Sequence, residues 1–201
     1  MVSIEDKILT EIKDKGRGNI FFPSDFTSHG EVKAVGKSLE RLNTKGDIVR
    51  LARGIYSYPE IDTVLGLGVL FPSIEQIAEA IARRDKARIA PTGIYAMNKL
   101  GLSTQVPMNV VYLTDGTARK INLSNGHSIQ FKYTTPKNLS FTNPLAMLIT
   151  FALKEVGRDN MTEDITKQIR NILQKEQKDK ILADEALMPA WIRTFTRQAY
   201  E

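Results

Sequence analysis

The sixteen residues EVKAVGKSLERLNTKG, 31 to 46, leave little choice but an amphipathic helix. At about 100° per residue counted from Val32, the side chains of Val35, Leu39 and Leu42 fall near 300°, 340° and 280°, a single narrow apolar stripe. Lys33, Thr44, Lys37 and Arg41 fall at about 100°, 120°, 140° and 180°, so the outer face is cationic. The two acids, Glu31 and Glu40, are expected on the flanks of this basic face. A stripe so narrow seats the helix against one neighbouring layer and leaves its bases in solvent. By itself a lysine-rich outer face is ordinary helix surface. Its meaning depends on what lies on either side.

Upstream, SIEDKILTEIKDKG places Ile4, Ile8, Leu9 and Ile12 at helical spacing, with Ser3 as N-cap and Gly16 as terminator. This predicts a first helix over 3–15. Pro23-Ser24 opens a short second helix through Phe26, and SHG at 28–30 is a tight turn. Downstream, IVRLARGIYSYP at 48–59 alternates β-formers around Arg53-Gly54, the signature of a hairpin with Arg50 on one strand and Arg53 at its tip. Helix, short helix, turn, basic helix and hairpin follow the order of a winged helix-turn-helix, residues 1–59. In that architecture the outer face of the third helix enters the major groove and the hairpin reaches the adjacent backbone or minor groove. Lys33, Lys37, Arg41, Thr44, Arg50 and Arg53 are therefore the candidate DNA contacts.

PEIDTVLGLGVLFP follows, with two glycines and two prolines. Residues 60–72 read as a connector that is too apolar to be a floppy linker and is expected to pack against something. Residues 73–201 are expected to form a C-terminal α+β domain. PSIEQIAEAIARRD carries a capping box, Ser73 with Gln76, and APTGIYAMNKLGL is a further helix ended by Gly101. The turn pairs Asp115-Gly116 and Asn125-Gly126 separate NVVYL, RKINL and SIQFKY, which predicts a three-stranded antiparallel meander. Helices are expected over 144–156, 162–176 with Thr162 as cap, and 189–199 with Pro189 in the first turn. The Lys/Glu/Gln run at 175–180 reads as a solvated helix end, and Met97, Met147, Phe151 and Trp191 as core or interface residues. The fold class is α+β.

Composition excludes more than it identifies. The 201 residues contain no cysteine, hence no disulfide and no thiolate metal site, and the two histidines, His29 and His127, are far apart in sequence. The N-terminus has acids where a secretion signal needs an apolar run, and no window reaches the roughly 20 apolar residues of a membrane span, so a cytoplasmic protein is expected. Net charge is +5, compatible with a nucleic-acid partner. Residues 1–59 hold 10 Lys and Arg against 8 Asp and Glu, and the remainder 18 against 15, so bulk charge singles out neither half. There is no phosphate-binding glycine loop, no His-Glu-x-x-His and no Gly-x-Ser-x-Gly. Glu163-Asp164 and Asp184-Glu185 are adjacent and so diverge on a helix rather than form an acid/base pair. No catalytic residue, metal ligand or cofactor site is expected.

RLARGIYSYP, PSIEQIAEAIARRD and above all PTGIYAMNKLGLSTQVPMNVVYLTDGTARKI resemble the AbiEi-type antitoxin and transcriptional-regulator family of abortive-infection toxin–antitoxin pairs. The resemblance runs from about residue 5 to 195, and it leaves the connector IDTVLGLGVLF unmatched. It implies a non-enzymatic bacterial protein with a winged helix binding repeats in its own promoter, and a C-terminal domain needed against a nucleotidyltransferase-type toxin. The LARGIY segment, Leu51 to Tyr56, matches the family's wing, so a wing role for Arg53 carries over; the third-helix residues rest on the helical wheel alone. Binding as a dimer on DNA is open. Two other readings stand beside this one: a protein–protein module that blocks its toxin by contact, and a solitary regulator.

Overall fold

A computed structural model of the chain describes residues 2–201. It is an α+β protein that divides into two compact units, the first running to Ile81 and including Ile121–His127, the second comprising Ala82–Lys120 and Ser128–Glu201. Among the described residues no helix is long and apolar enough to cross a membrane.

The first unit opens with α1, Ile4–Lys15, whose start is fixed by a capping box between Ser3 and Asp6. A two-residue strand β1, Ile20–Phe21, leads into a 3₁₀ segment, Pro23–His29, three residues longer than its sequence predicts. Then comes α2, Val32–Lys45, closed by Gly46 at φ 80°. That left-handed cap costs glycine nothing and a β-carbon much. Strands β2, Val49–Ala52, and β3, Ile55–Ser57, form the expected hairpin, with a bulge between Arg50 and Ala52 and Gly54 at φ 71° in the turn. β1 adds to the other edge of β3, giving the order β1-β3-β2.

The apolar stripe of α2 behaves as its spacing requires. Val35, Leu39 and Leu42 are buried with Ile8 and Ile12 of α1, Phe21, Phe26, Ile48 and Tyr56. Each such side chain contributes about 1.5–3 kcal/mol by leaving water, and truncating Leu39 to alanine costs about 2–5 kcal/mol. Phe21 stacks on Tyr56 and meets Phe26 edge-on at 5.5 Å. Val32, the reference of the wheel, is 62% exposed; at the first helical position it lies beyond the layer that covers the rest of the stripe.

Residues 60–72 are not a packed connector. They form a second hairpin of β4, Glu60–Asp62, and β5, Gly68–Leu70, whose apolar side chains are exposed. Asp62 explains the turn, since its carboxylate accepts the N–H groups of Val64 and Leu65 and draws the chain back on itself. Helix α3, Ile74–Asp85, begins at the Ser73/Gln76 capping box and carries the chain from the first unit into the second.

The strands after α3 form a sheet of four rather than an antiparallel meander of three. β6, Ile89–Pro91, pairs antiparallel with β7, Asn109–Thr114, while β7 and β9, Ser128–Tyr133, are parallel. β8, Arg119–Asn122, lies outside β9, giving the order β6-β7-β9-β8. Parallel neighbours need a crossover of roughly a dozen residues, and 115–127 supplies one. Asp115-Gly116 is therefore not a hairpin turn: the Asp115 carboxylate takes the Nε and backbone N–H of Arg88, both at 2.8 Å. β6 holds Pro91 at a sheet edge, the place a sheet tolerates proline. Helix α4, Gly93–Lys99, packs against α5, Pro144–Val156, over Ala90, Ala96, Leu139, Phe151 and Ala152, with Met97 and Met147 at the margin. The remaining helices are α6, Glu163–Leu173, capped by Thr162; α7, Lys178–Leu182, where the sequence reads as a solvated helix end; and α8, Ala190–Gln198. Buried Ile181 is why α7 exists: it joins Ile149, Leu153, Ile169, Leu173 and Ile192 in one cluster.

Candidate nucleic-acid interface

The six candidate side chains come from α2 and the β2–β3 hairpin, and all six, Lys33, Lys37, Arg41, Thr44, Arg50 and Arg53, are exposed. Because Val35, Leu39 and Leu42 hold α2 down on the core, the bases on its opposite side have nowhere to turn but outward. Among the described residues Lys33, Lys37 and Arg53 make no ion pair.

Besides the shared core of Leu39, Leu42, Ile48 and Tyr56, one side chain links helix and hairpin by a hydrogen bond. Asn43 accepts the backbone N–H of Arg50 through Oδ1 at 2.8 Å. The bond fixes β2 against the last turns of α2 and sets the position of Arg50 relative to the helical bases. The Arg50 Nε donates along its own strand to the Ala52 carbonyl at 3.4 Å, so the guanidinium lies along the hairpin toward its tip. On the far side of β2, the Leu51 carbonyl accepts the N–H of Ser124 at 2.8 Å, which occupies one acceptor on that edge.

Three details differ from the helical-wheel picture. Glu40 does not keep to a flank but shares one shallow depression with Lys37, Arg41, Thr44 and Lys45. At about 80° on the same wheel it is the i+3 neighbour of Lys37 and the i−4 neighbour of Thr44, which is close contact on a helix. Arg41 and Lys45 both reach Glu5 of α1, Arg41 at 3.9 Å and Lys45 in direct hydrogen bond. Lys45 is a base on this surface that the wheel argument passed over; it is the i+4 neighbour of Arg41, and that spacing alone would have found it. Its bond to Glu5 raises its pKa. Finally, the Thr44 hydroxyl donates to the Glu40 carbonyl at 3.0 Å, so toward a ligand it presents its lone pairs.

Burial pushes the Tyr56 hydroxyl above the usual phenol range, with Arg50 pulling it down and Glu40 pushing it up. Both charges, one from the hairpin and one from α2, thus act on the same buried ring. Several other charged groups of the first unit are engaged in structure. Glu11 receives Lys15 and His29 at 2.6 Å each, and the Lys15 bond is the main reason its carboxyl lies below the usual range. Arg17 lies over the Tyr58 ring at 4.5 Å and donates to the Pro59 carbonyl at 2.7 Å.

In the second unit several charged side chains have structural tasks. Arg119 pairs with Asp85 and lies 5.5 Å from the Phe131 ring. Asp184, buried, accepts the N–H groups of Thr142 and Asn143 and the Thr142 hydroxyl, while Glu185 holds Arg197 at 2.7 Å; the adjacent carboxylates have separate structural tasks. Among the described residues no group of three or more His, Asp or Glu is placed to hold a metal ion.

The fold and this surface define a class: an α+β protein whose first unit exposes a basic helix beside an arginine-bearing hairpin. The chain belongs to a family of unknown function, DUF6088, whose model matches residues 7–181. No curated protein matches. Among solved structures the RV2827C protein from Mycobacterium tuberculosis is similar at 14% identity and a TM-score of 0.49, with 98% of this chain and 78% of that chain covered.

Proposed function

We propose that the protein is a non-enzymatic DNA-binding antitoxin, an autorepressor of a bacterial toxin–antitoxin operon, with the first unit acting as a winged helix-turn-helix. The observation that carries the reading is the Asn43–Arg50 bond, which locks the exposed bases of α2 and the hairpin arginines into one surface. In this reading α2 lies in the major groove, where Lys33 and Lys37 reach phosphates or base edges, and Arg53 at the hairpin tip enters the flanking groove. Thr44 accepts a hydrogen bond there. The toxin partner, of nucleotidyltransferase type, rests on the resemblance of the block around residues 91–121 to antitoxins of that kind.

A band-shift titration on the DNA directly upstream of the gene, with scrambled DNA as competitor and salt varied, tests the reading. Neutralising about 4 to 6 phosphates gives a log–log salt slope of roughly −4 to −5, with the native sequence preferred over scrambled DNA. Equal affinity for both, at the roughly 10⁻⁴ to 10⁻⁶ M of non-specific binding, sinks it.

A further inference from the structure

The β4–β5 hairpin presents an exposed apolar face. Its register sets Ile61 opposite Val69, Glu60 opposite Leu70 and Asp62 opposite Gly68. Alternate residues of a strand point to opposite faces, so Ile61 and Val69 share one face and the two acids lie on the other. The Glu60 carboxylate lies beside Gly18, and the Asp62 carboxylate accepts the N–H groups of its own turn. The root of the hairpin is held by the Arg17 bond to Pro59. From that fixed root Ile61, Val69 and Phe71 stand 50%, 46% and 57% exposed, and Val64, Leu65 and Leu67 at the tip 89%, 77% and 65%.

We infer that this face is a self-association surface, on which two copies of the chain pack their β4–β5 hairpins against each other about a two-fold axis. Area is the first argument. Those six residues, each between 46% and 89% exposed, lie within one short hairpin and so form a patch well beyond scattered surface apolar residues, the kind of surface an interface covers. Charge is the second. Residues 63–72, TVLGLGVLFP, contain no charged side chain, so the face has nothing to attract a polyanion and nothing to repel its own copy. An isologous contact asks for such a self-complementary surface. The third is the hairpin's own stability: two strands alone are marginal in water and gain from packing on a further layer. The inference does not rest on DNA binding and is tested without DNA.

Sedimentation equilibrium of the full chain is the test, comparing the wild type with Leu65→Ser/Leu67→Ser and, separately, with Val69→Thr. All three positions are exposed, and far-UV circular dichroism with a thermal midpoint verifies that the variants fold. The expected result is a wild-type species of twice 22.6 kDa at tens of micromolar and a dissociation constant raised on the order of 100-fold in the tip variant. A wild type that remains at 22.6 kDa overturns the inference, and so does a dimer equally stable in both variants. A third arm adds phosphatidylcholine vesicles: a monomer that pellets with them through the same side chains overturns it in favour of a bilayer surface.

Discussion

The Oδ1 of Asn43, in the last turn of α2, lies 2.8 Å from the backbone nitrogen of Arg50 in β2. One neutral side chain thus adds a hydrogen bond to the apolar packing that sets the hairpin against the helix. Asn43→Ala removes the acceptor and leaves the strand N–H without its partner, at an expected cost of about 1 kcal/mol. It also lowers specific DNA affinity, because Arg50 and Arg53 lose their register with the helical bases. Asn43→Asp keeps the acceptor and is expected to keep the urea midpoint. A midpoint unmoved in Asn43→Ala removes the bond from the account.

Arg53 stands at the hairpin tip with no ion pair among the described residues. Its replacement by alanine is expected to change folding stability by less than about 0.5 kcal/mol, the usual range for an exposed site. Specific DNA binding falls by about 1–3 kcal/mol if the side chain enters a groove. Band shifts on native and scrambled DNA separate loss of specificity from loss of charge; unchanged affinity excludes the hairpin from recognition.

Glu40 is the acid among the bases of α2. A carboxylate in that position opposes phosphate, so Glu40→Gln is expected to bind DNA several-fold more tightly at low salt. The gain shrinks as screening shortens toward 1 M salt, where the Debye length is about 3 Å. Tighter binding that is independent of salt contradicts an electrostatic origin.

In the second unit Asp184 is buried and anchors the start of α5 through Thr142 and Asn143. Asp184→Ala leaves two backbone donors and a hydroxyl unsatisfied and is expected to cost about 3 kcal/mol. Asp184→Asn, which retains one carbonyl oxygen, should fall between the two in chemical denaturation. A fully stable alanine variant refutes the anchor.

Acid should weaken the second unit through Asp85 and Asp115. Desolvation pushes both carboxyls up, but hydrogen bonds from Arg119 and Arg84 to the first, and from Arg88 to the second, more than offset it and leave both below the usual range. A carboxyl lowered on folding adds stability that is complete above its unfolded pKa and disappears as pH falls through its folded value. Stability is therefore expected to hold at neutral pH and to decline below about pH 4. Arg88→Met lowers stability at pH 7 and flattens that decline; denaturation at pH 7 and pH 3 measures both, and an unaltered acid limb rejects the assignment.

Where sequence and structure agree, the signal is local. Ser3, Ser73 and Thr162 announce helix starts because capping is a contact over three residues, and Val35, Leu39 and Leu42 state which face of α2 is buried. What stayed hidden depends on distant partners. Alternation in NVVYL and SIQFKY gives the faces of β7 and β9 but is blind to whether they run parallel, and the three residues of β6 are too few to show a period. The pairing of Arg41 and Lys45 with Glu5 joins two helices some forty residues apart in sequence, beyond any wheel. The exposed face of β4–β5 inverts the usual inference from apolar sequence to burial.

The bond from the Ser124 N–H to the Leu51 carbonyl has a consequence for biosynthesis. The first unit counts Ile121–His127 among its own residues, so its sequence is split and the edge of β2 waits for a segment made some seventy residues later. On the ribosome the helices and hairpin can collapse early, but β2 remains an open template until that segment clears the exit tunnel. A fragment cut at residue 81 repeats this unfinished state permanently, leaving open to other chains the Leu51 carbonyl that the intact protein bonds to Ser124.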